Sequence, residues 1–294
     1  YTSLVYATGI LGGMIADRYL GYQRSIILGG LLMAVGCFML LSPEIHLFLI
    51  GLAVIVAGNG LFKPNISTMV GKLYAPNDVR RDSGFTIFYM GINAGAFVAP
   101  LITAVWIGAN YGYKYGFLAA AIGMIFGIVV FQVRKGMLGH VGKSPAGREG
   151  WGPVLNVLVG AILLVPVIYF LLSQSEILGV VLLALFAGLA VYLIWSGYSE
   201  TSVQGQKYIA MFLLFTANIL FWALFEQAGA SLNFLAQDHV NAPFHFTLFQ
   251  SANPLFIVLL APVFAMMWPW LDKMNMNPSI PRKFGLGLIF NGLA

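Results

Sequence analysis

IHLFLIGLAVIVAGNGLFKPNISTMV, residues 45–70, contains one formally charged side chain, Lys63, with Pro64 directly after it. A membrane core of ~30 Å is crossed by about 20 consecutive apolar residues in helical form, and this run exceeds that length. A lysine at the bilayer centre costs ~2.5–3.5 kcal/mol on insertion scales, so a chain that keeps one turns it toward a cavity, a partner or a pathway. The stretch reads as a membrane-spanning helix that carries a functional candidate.

The pattern repeats on both sides. Apolar runs occupy residues 1–16, 25–41, 45–70, 84–108, 113–133, 153–172, 178–198, 208–235 and 247–271, with an incomplete run at 284–294. Charged residues make up 9% of the 294 positions, against about 25% in soluble domains, too few to cover a water-facing surface. Barrel strands would need alternating segments of about 10 residues, whereas these runs are continuously apolar and rich in glycine. The lone cysteine, Cys37, rules out a disulfide framework. The fold class is therefore an all-α polytopic membrane protein. The chain does not start with Met and its outer runs are short, so a piece trimmed at both ends is expected.

The net charge of +5 is explained by its placement. When the polar breaks are assigned alternately to the two membrane faces, all but two of the 15 Lys and Arg fall on one face. Lys114 lies on the other face and Lys63 lies within the membrane. Cytoplasmic loops carry such an excess, so the basic balance records topology and no nucleic-acid partner is expected. The basic stretch 134–150 separates an N-terminal block, 1–133, from a helix pair, 151–199, and a C-terminal block, 206–294.

Of the 10 acidic residues, all but Glu226 lie in or beside the breaks. Residues four apart share a helix face, which places Asn218, Trp222 and Glu226 in one stripe and Tyr89 and Asn93 in another. Each also has a plain structural reading: a buried ion pair, a snorkelling lysine, packing aromatics, or amide contacts between helices worth ~0.6 kcal/mol. Together, a cation, an acid, amides and phenols suit a ligand bearing both carboxylate and amino groups. Desolvation of Glu226 would favour its protonated form near neutral pH. Pro64 and Pro254, the latter beside Asn253, each remove a helix hydrogen bond. An intramembrane hydrolase would need Asp or His at membrane depth, and the runs contain neither there, so an enzyme is not expected.

GGMIADRYLG, followed by FKPNIS, FTIFYMGINAGAF and FWALFEQAGASL, resembles in order and spacing the motifs of the proton-dependent oligopeptide transporter family of the major facilitator superfamily, bacterial type. The resemblance covers nearly the whole chain. It implies two six-helix bundles with an inserted helix pair at 151–199, the present chain supplying helices two to six and seven to nine. It implies substrate contacts for Tyr6, Lys63, Tyr89, Asn93, Trp222 and Asn253, proton coupling through Lys63 and Glu226, and a loop gate at Asp17 and Arg18. The implied activity is proton-driven import of di- and tripeptides by alternating access across the cell inner membrane. No cofactor or metal is expected beyond the proton as coupling ion. A related carrier of nitrate or another small anion is the alternative, because Lys63 alone would serve it. The family's first-helix acidic motif and tenth-helix glutamate are not found in this chain, and the oligomeric state is not legible.

Overall fold

The structure, a computed structural model, describes residues 1–75, 78, 80–199 and 201–293, the side chains of Arg80, Asp82, Ser83, Ser175, Pro269 and Ile280 excepted. The side chains of Arg80 and Asp82, and Glu200, all counted above among the loop charges, lie outside the described residues, as does Ala294 at the end of the C-terminal block. Among the described residues the chain contains no strand, and eight helices are long and apolar enough to cross a membrane.

In chain order the helices are α1 (Thr2–Ile15), α2 (Tyr22–Met39), α3 (Ile45–Lys72), α4 (Arg80–Pro100), α5 (Ala109–Tyr111), α6 (Tyr113–Arg134) and α7 (Gly152–Ser173). They continue as α8 (Ser175–Ser199), α9 (Ser202–Phe225), α10 (Ser231–His239), α11 (Phe249–Lys273) and α12 (Ile280–Leu293). Two elements differ from the sequence reading. Asp17 and Arg18 do not end a helix: a π-helical turn, Ala16–Leu20, carries α1 onward until Gly21 stops it at φ 74°. The apolar run 208–235 is interrupted, because α9 ends at Phe225 and a 3-10 turn, Glu226–Gly229, leads into α10. The small, glycine-containing AGAS segment gives the helix little to hold it there, and Ala230 leaves helical geometry at φ −120°, ψ −101°.

Two compact units form, one from Tyr1–Gln174 with Pro254–Ala261, the other from Ser175–Asn253 with Pro262–Ala294. The helix pair expected at 151–199 thus contributes α7 to the first unit and α8 to the second.

In lipid, helices gain little by hiding apolar surface from one another, so close packing across small residues holds them together. In the first unit α2 and α3 meet along a glycine seam. A Cβ on Gly29 would lie 2.5 Å from the Gly58 carbonyl oxygen, and one on Gly36 would lie 2.7 Å from that of Gly51. On each helix the two glycines are about two helical turns apart, so both contacts fall along one seam. Helix α1 approaches α3 closer still: a Cβ on Gly12 would fall 1.8 Å from the Gly60 oxygen. Pro64 has no N–H to occupy that oxygen, which leaves the Gly60 carbonyl available to the neighbouring backbone. Two buried side chains bracket this contact. The Thr8 hydroxyl donates to the Val56 carbonyl at 3.1 Å, and the Asn65 amide donates to the Gly12 carbonyl at 3.1 Å.

Helix α7 packs on the same unit through Val154, Val157 and Leu158 against Leu20, Leu28 and Leu61. Its far end is tied by a 2.7 Å hydrogen bond between the Tyr169 hydroxyl and His46 Nδ1. The basic segment 134–150 is a docked strap. Gln23 donates to the Val141 carbonyl at 2.7 Å, Ser144 to the Leu20 carbonyl at 2.8 Å, and the Arg24 guanidinium to the carbonyls of Arg148, Glu149 and Gly150. Gly21 has to be glycine here on two grounds, its positive φ and the Lys143 oxygen 2.4 Å from where a Cβ would sit.

In the second unit α8 and α9 close on Gly197 and Gly205, where a Cβ on Gly205 would lie 2.3 Å from the Gly197 oxygen. Tyr192 and Tyr208 meet edge-on beside them, centroids 6.5 Å apart.

Candidate substrate and coupling site

The first unit brings Lys63 and Tyr6 together. The α1–α3 contact at Gly12 and Gly60 sets the two helices backbone to backbone, and helical side chains lean toward the N-terminus, so the Lys63 stem carries its ammonium back along α3. The ammonium stands 4.2 Å from the centroid of the Tyr6 ring. Within this unit Lys63 is exposed and Tyr6 is half-exposed. Below them Pro64 sits 3.8 Å from where a Gly9 Cβ would be, and Ser67 and Thr68 donate back to the carbonyls of Lys63 and Pro64.

Tyr89 and Asn93 share a face of α4, as the spacing predicts. The Asn93 amide is buried and donates to the Tyr89 carbonyl at 2.9 Å, while the Tyr89 ring is exposed. Neither makes a hydrogen bond or ring contact with Lys63 among the described residues, so the two clusters are separate features of the unit.

Asp17 and Arg18 serve different surroundings. Lys72 donates to the Tyr22 hydroxyl at 2.6 Å, and that hydroxyl donates to the Asp17 carboxylate, forming a relay from α3 to the turn after α1. The Lys72 ammonium also stands 4.4 Å from the Tyr22 centroid. A cavity of 590 Å³ beside this relay is lined by Arg81, His140 and Lys143 as well. Arg18 faces instead the groove between α1 and α7. Sequence reading missed Tyr22, Lys72 and Arg24. The signal lay in the i, i+5 spacing of Asp17 and Tyr22, which a π-turn brings together and an α-helix would not.

In the second unit Trp222 packs edge-on against Phe221 and Phe225, at 5.7 and 5.4 Å between centroids. Glu226 caps α9 at the break and its side chain is exposed, so the enclosure expected of a mid-helix acid is not found in this unit, because the helix ends before it. The break is held by Gln250 of α11, which donates to the Ala228 carbonyl at 2.7 Å and to Asn233 at 3.0 Å. Asn253 is exposed one turn further along α11. Gln250 and Asn233 were not singled out in the sequence, since lone amides beside a helix end carry no distinctive pattern. Among the described residues no cluster of His, Cys, Asp or Glu is arranged to hold a metal.

Glycine-seamed spanning helices, one of them broken at an acid, define a multi-pass membrane protein. The model of the POT family matches residues 23–294, and the chain belongs to that family. It is 36% identical over 323 residues to the di-/tripeptide transporter of Lactococcus lactis subsp. lactis, covering 100% of this chain and 63% of that protein. It is 34% identical over 317 residues to the peptide transporter YePEPT of Yersinia enterocolitica subsp. palearctica, covering 98% and 61%. A crystal structure of a POT peptide transporter in complex with sulfate superposes with a TM-score of 0.79 at 39% identity, over 100% of this chain and 63% of that one. The fold is thus that of the POT transporters, within the major facilitator architecture. The chain spans about three-fifths of the length of these relatives.

Proposed function

We propose that this protein is a proton-coupled symporter that imports di- and tripeptides across the cell inner membrane by alternating access, with helical bundles rocking about a midplane site. The observation that carries the reading is the Lys63 ammonium held against Tyr6 beside Pro64, in a chain whose relatives are named peptide transporters. Lys63 supplies the cation for the peptide C-terminus. Tyr89, Asn93 and Asn253 hydrogen-bond the backbone common to all peptides, and Tyr6 and Trp222 give amphipathic walls for variable side chains. Glu226, at a helix break where partners change at low cost, takes up the coupling proton. Protonation there and peptide at Lys63 each shift the same conformational equilibrium, which is what coupling requires. Asp17 and Arg18 belong to the gate on the Lys/Arg-rich face.

The test is uptake of a labelled dipeptide by the intact protein in liposomes. An inward proton gradient should drive accumulation above equilibrium, and unlabelled tripeptides should compete. Accumulation indifferent to the gradient, or competed by nitrate and not by peptides, would overturn the proposal.

A further inference from the structure

A groove of 510 Å³ runs between α1, α3 and α7. Small residues form its walls: Gly12 and Gly60 at the α1–α3 contact, Gly160 and Ala161 on α7. A Cβ on Gly160 would meet nothing within 4 Å, so this glycine opens onto free space, whereas Gly12 is pressed against backbone. The groove is apolar along its length and polar at one end, where Arg18 and the Asn156 amide line it. Arg148 does not line the groove but neighbours it, its guanidinium 4.0 Å from the ring of Tyr19, itself a wall residue.

Along α1 and the π-turn that continues it the groove extends from Thr8 to Arg18, ~15 Å at a rise of about 1.5 Å per residue. That is half of a ~30 Å hydrocarbon core, the depth of a single leaflet. The polar end coincides with the face rich in Lys and Arg, where anionic lipids concentrate and basic pockets between helices bind their headgroups. Asp17, one residue away, is occupied by the Tyr22 hydroxyl. Among the described residues Arg18 makes no hydrogen bond or ion pair with the protein, and its charge is available to a ligand.

We propose that this groove is a binding site for one anionic phospholipid, with an acyl chain between α1 and α7 and its phosphate at Arg18, Asn156 and Arg148. A peptide or a soluble anion would find the polar end but would leave the apolar length unfilled. The bound lipid would act as a wedge that fixes the distance of α7 from α1. The inference does not depend on which solute is carried.

The test uses the intact protein in detergent with added phosphatidylglycerol or phosphatidylcholine of identical chains, read by native mass spectrometry. Wild type should retain phosphatidylglycerol, favoured by about fivefold for each arginine engaged. Gly160→Leu, which fills the groove, should lose the retained lipid, and Arg18→Gln should hold both lipids more equally. A phosphatidylglycerol with a photoreactive acyl chain should label wild-type residues 156–164, a readout that does not rely on a variant folding. Equal retention of the two lipids by wild type, undiminished retention by Gly160→Leu, or labels scattered over the helices would overturn the proposal. So would a change of oligomeric state in Gly160→Leu with lipid retention unaltered, which would give the groove to a second copy.

Discussion

The Lys63 ammonium lies 4.2 Å from the centroid of the Tyr6 ring, a contact between the face of a phenol on α1 and a cation on α3. Such a contact is worth about 0.5–2 kcal/mol according to its exposure. A carboxylate 4 Å from the same ammonium gains about 4 kcal/mol at an effective dielectric of 20. The ring therefore holds the ammonium in position without competing with an anionic ligand. It orders a flexible four-carbon stem in advance, which would lower the entropy cost of binding an anion there.

Tyr6→Phe, which keeps the ring, should bind peptide with nearly wild-type affinity. Tyr6→Leu should weaken binding by about 2- to 30-fold, the range set by the ring contact. Isothermal titration of the purified protein with a dipeptide separates the two, and equal losses in both variants would shift the weight from the ring to the hydroxyl.

The glycine seam makes a paired prediction about stability. Gly29→Ala puts a methyl 2.5 Å from the Gly58 oxygen and should destabilise the protein by about 1–3 kcal/mol, the usual cost of overpacking. Gly13→Ala, where a Cβ meets nothing within 4 Å, should be neutral or slightly stabilising, since alanine is the better helix former. Thermal unfolding in detergent compares them directly.

Removal of Arg24 should release the strap. Its guanidinium holds three successive carbonyls of residues 148–150. Limited trypsin digestion of Arg24→Ala should cut after Arg148 faster than in wild type, with the spanning helices still protected. An unchanged cleavage rate would show that the Gln23 and Ser144 contacts suffice.

Glu44 caps the N-terminus of α3, accepting from the backbone N–H groups of His46 at 2.9 Å and Leu47 at 2.6 Å. These bonds hold its carboxyl below the usual range. A depressed folded pKa means that the contribution is present above the unfolded value and is lost as pH falls through the folded one. Wild type should therefore unfold at a higher temperature than Glu44→Ala at neutral pH, and the gap should close on acidification below the usual carboxylate range. A gap that widened with acid would contradict the capping role.

Much of this was legible in the chain itself. Run length and the one-sided placement of Lys and Arg gave the helices and their order, because span length and loop charge are properties of local sequence. Lys63 was legible because a lone charge in an apolar run has few cheap explanations. Tyr6 itself followed only from the family motifs, and its contact with Lys63 was not legible, since residues on separate helices carry no mutual spacing. The break at Glu226 was missed because composition stays apolar through 208–235, while the helical path after α9 tightens into a 3-10 turn that ends in the backbone geometry of Ala230, with Gln250 reaching across from α11. Docking of the 134–150 strap was missed for a related reason: its hydrogen bonds go to main-chain carbonyls, which every sequence has. The seams at Gly29–Gly58 and Gly12–Gly60 were visible only as abundant glycine, whose pairing depends on helix register.

Gradient-driven accumulation of a labelled dipeptide in liposomes, measured for the intact wild-type protein beside Lys63→Ala and Glu226→Gln, tests the central claim most directly. The account predicts that Lys63→Ala loses accumulation. It also predicts that Glu226→Gln keeps exchange of peptide across the membrane better than accumulation against a gradient. Undiminished gradient-driven uptake by Lys63→Ala would contradict it.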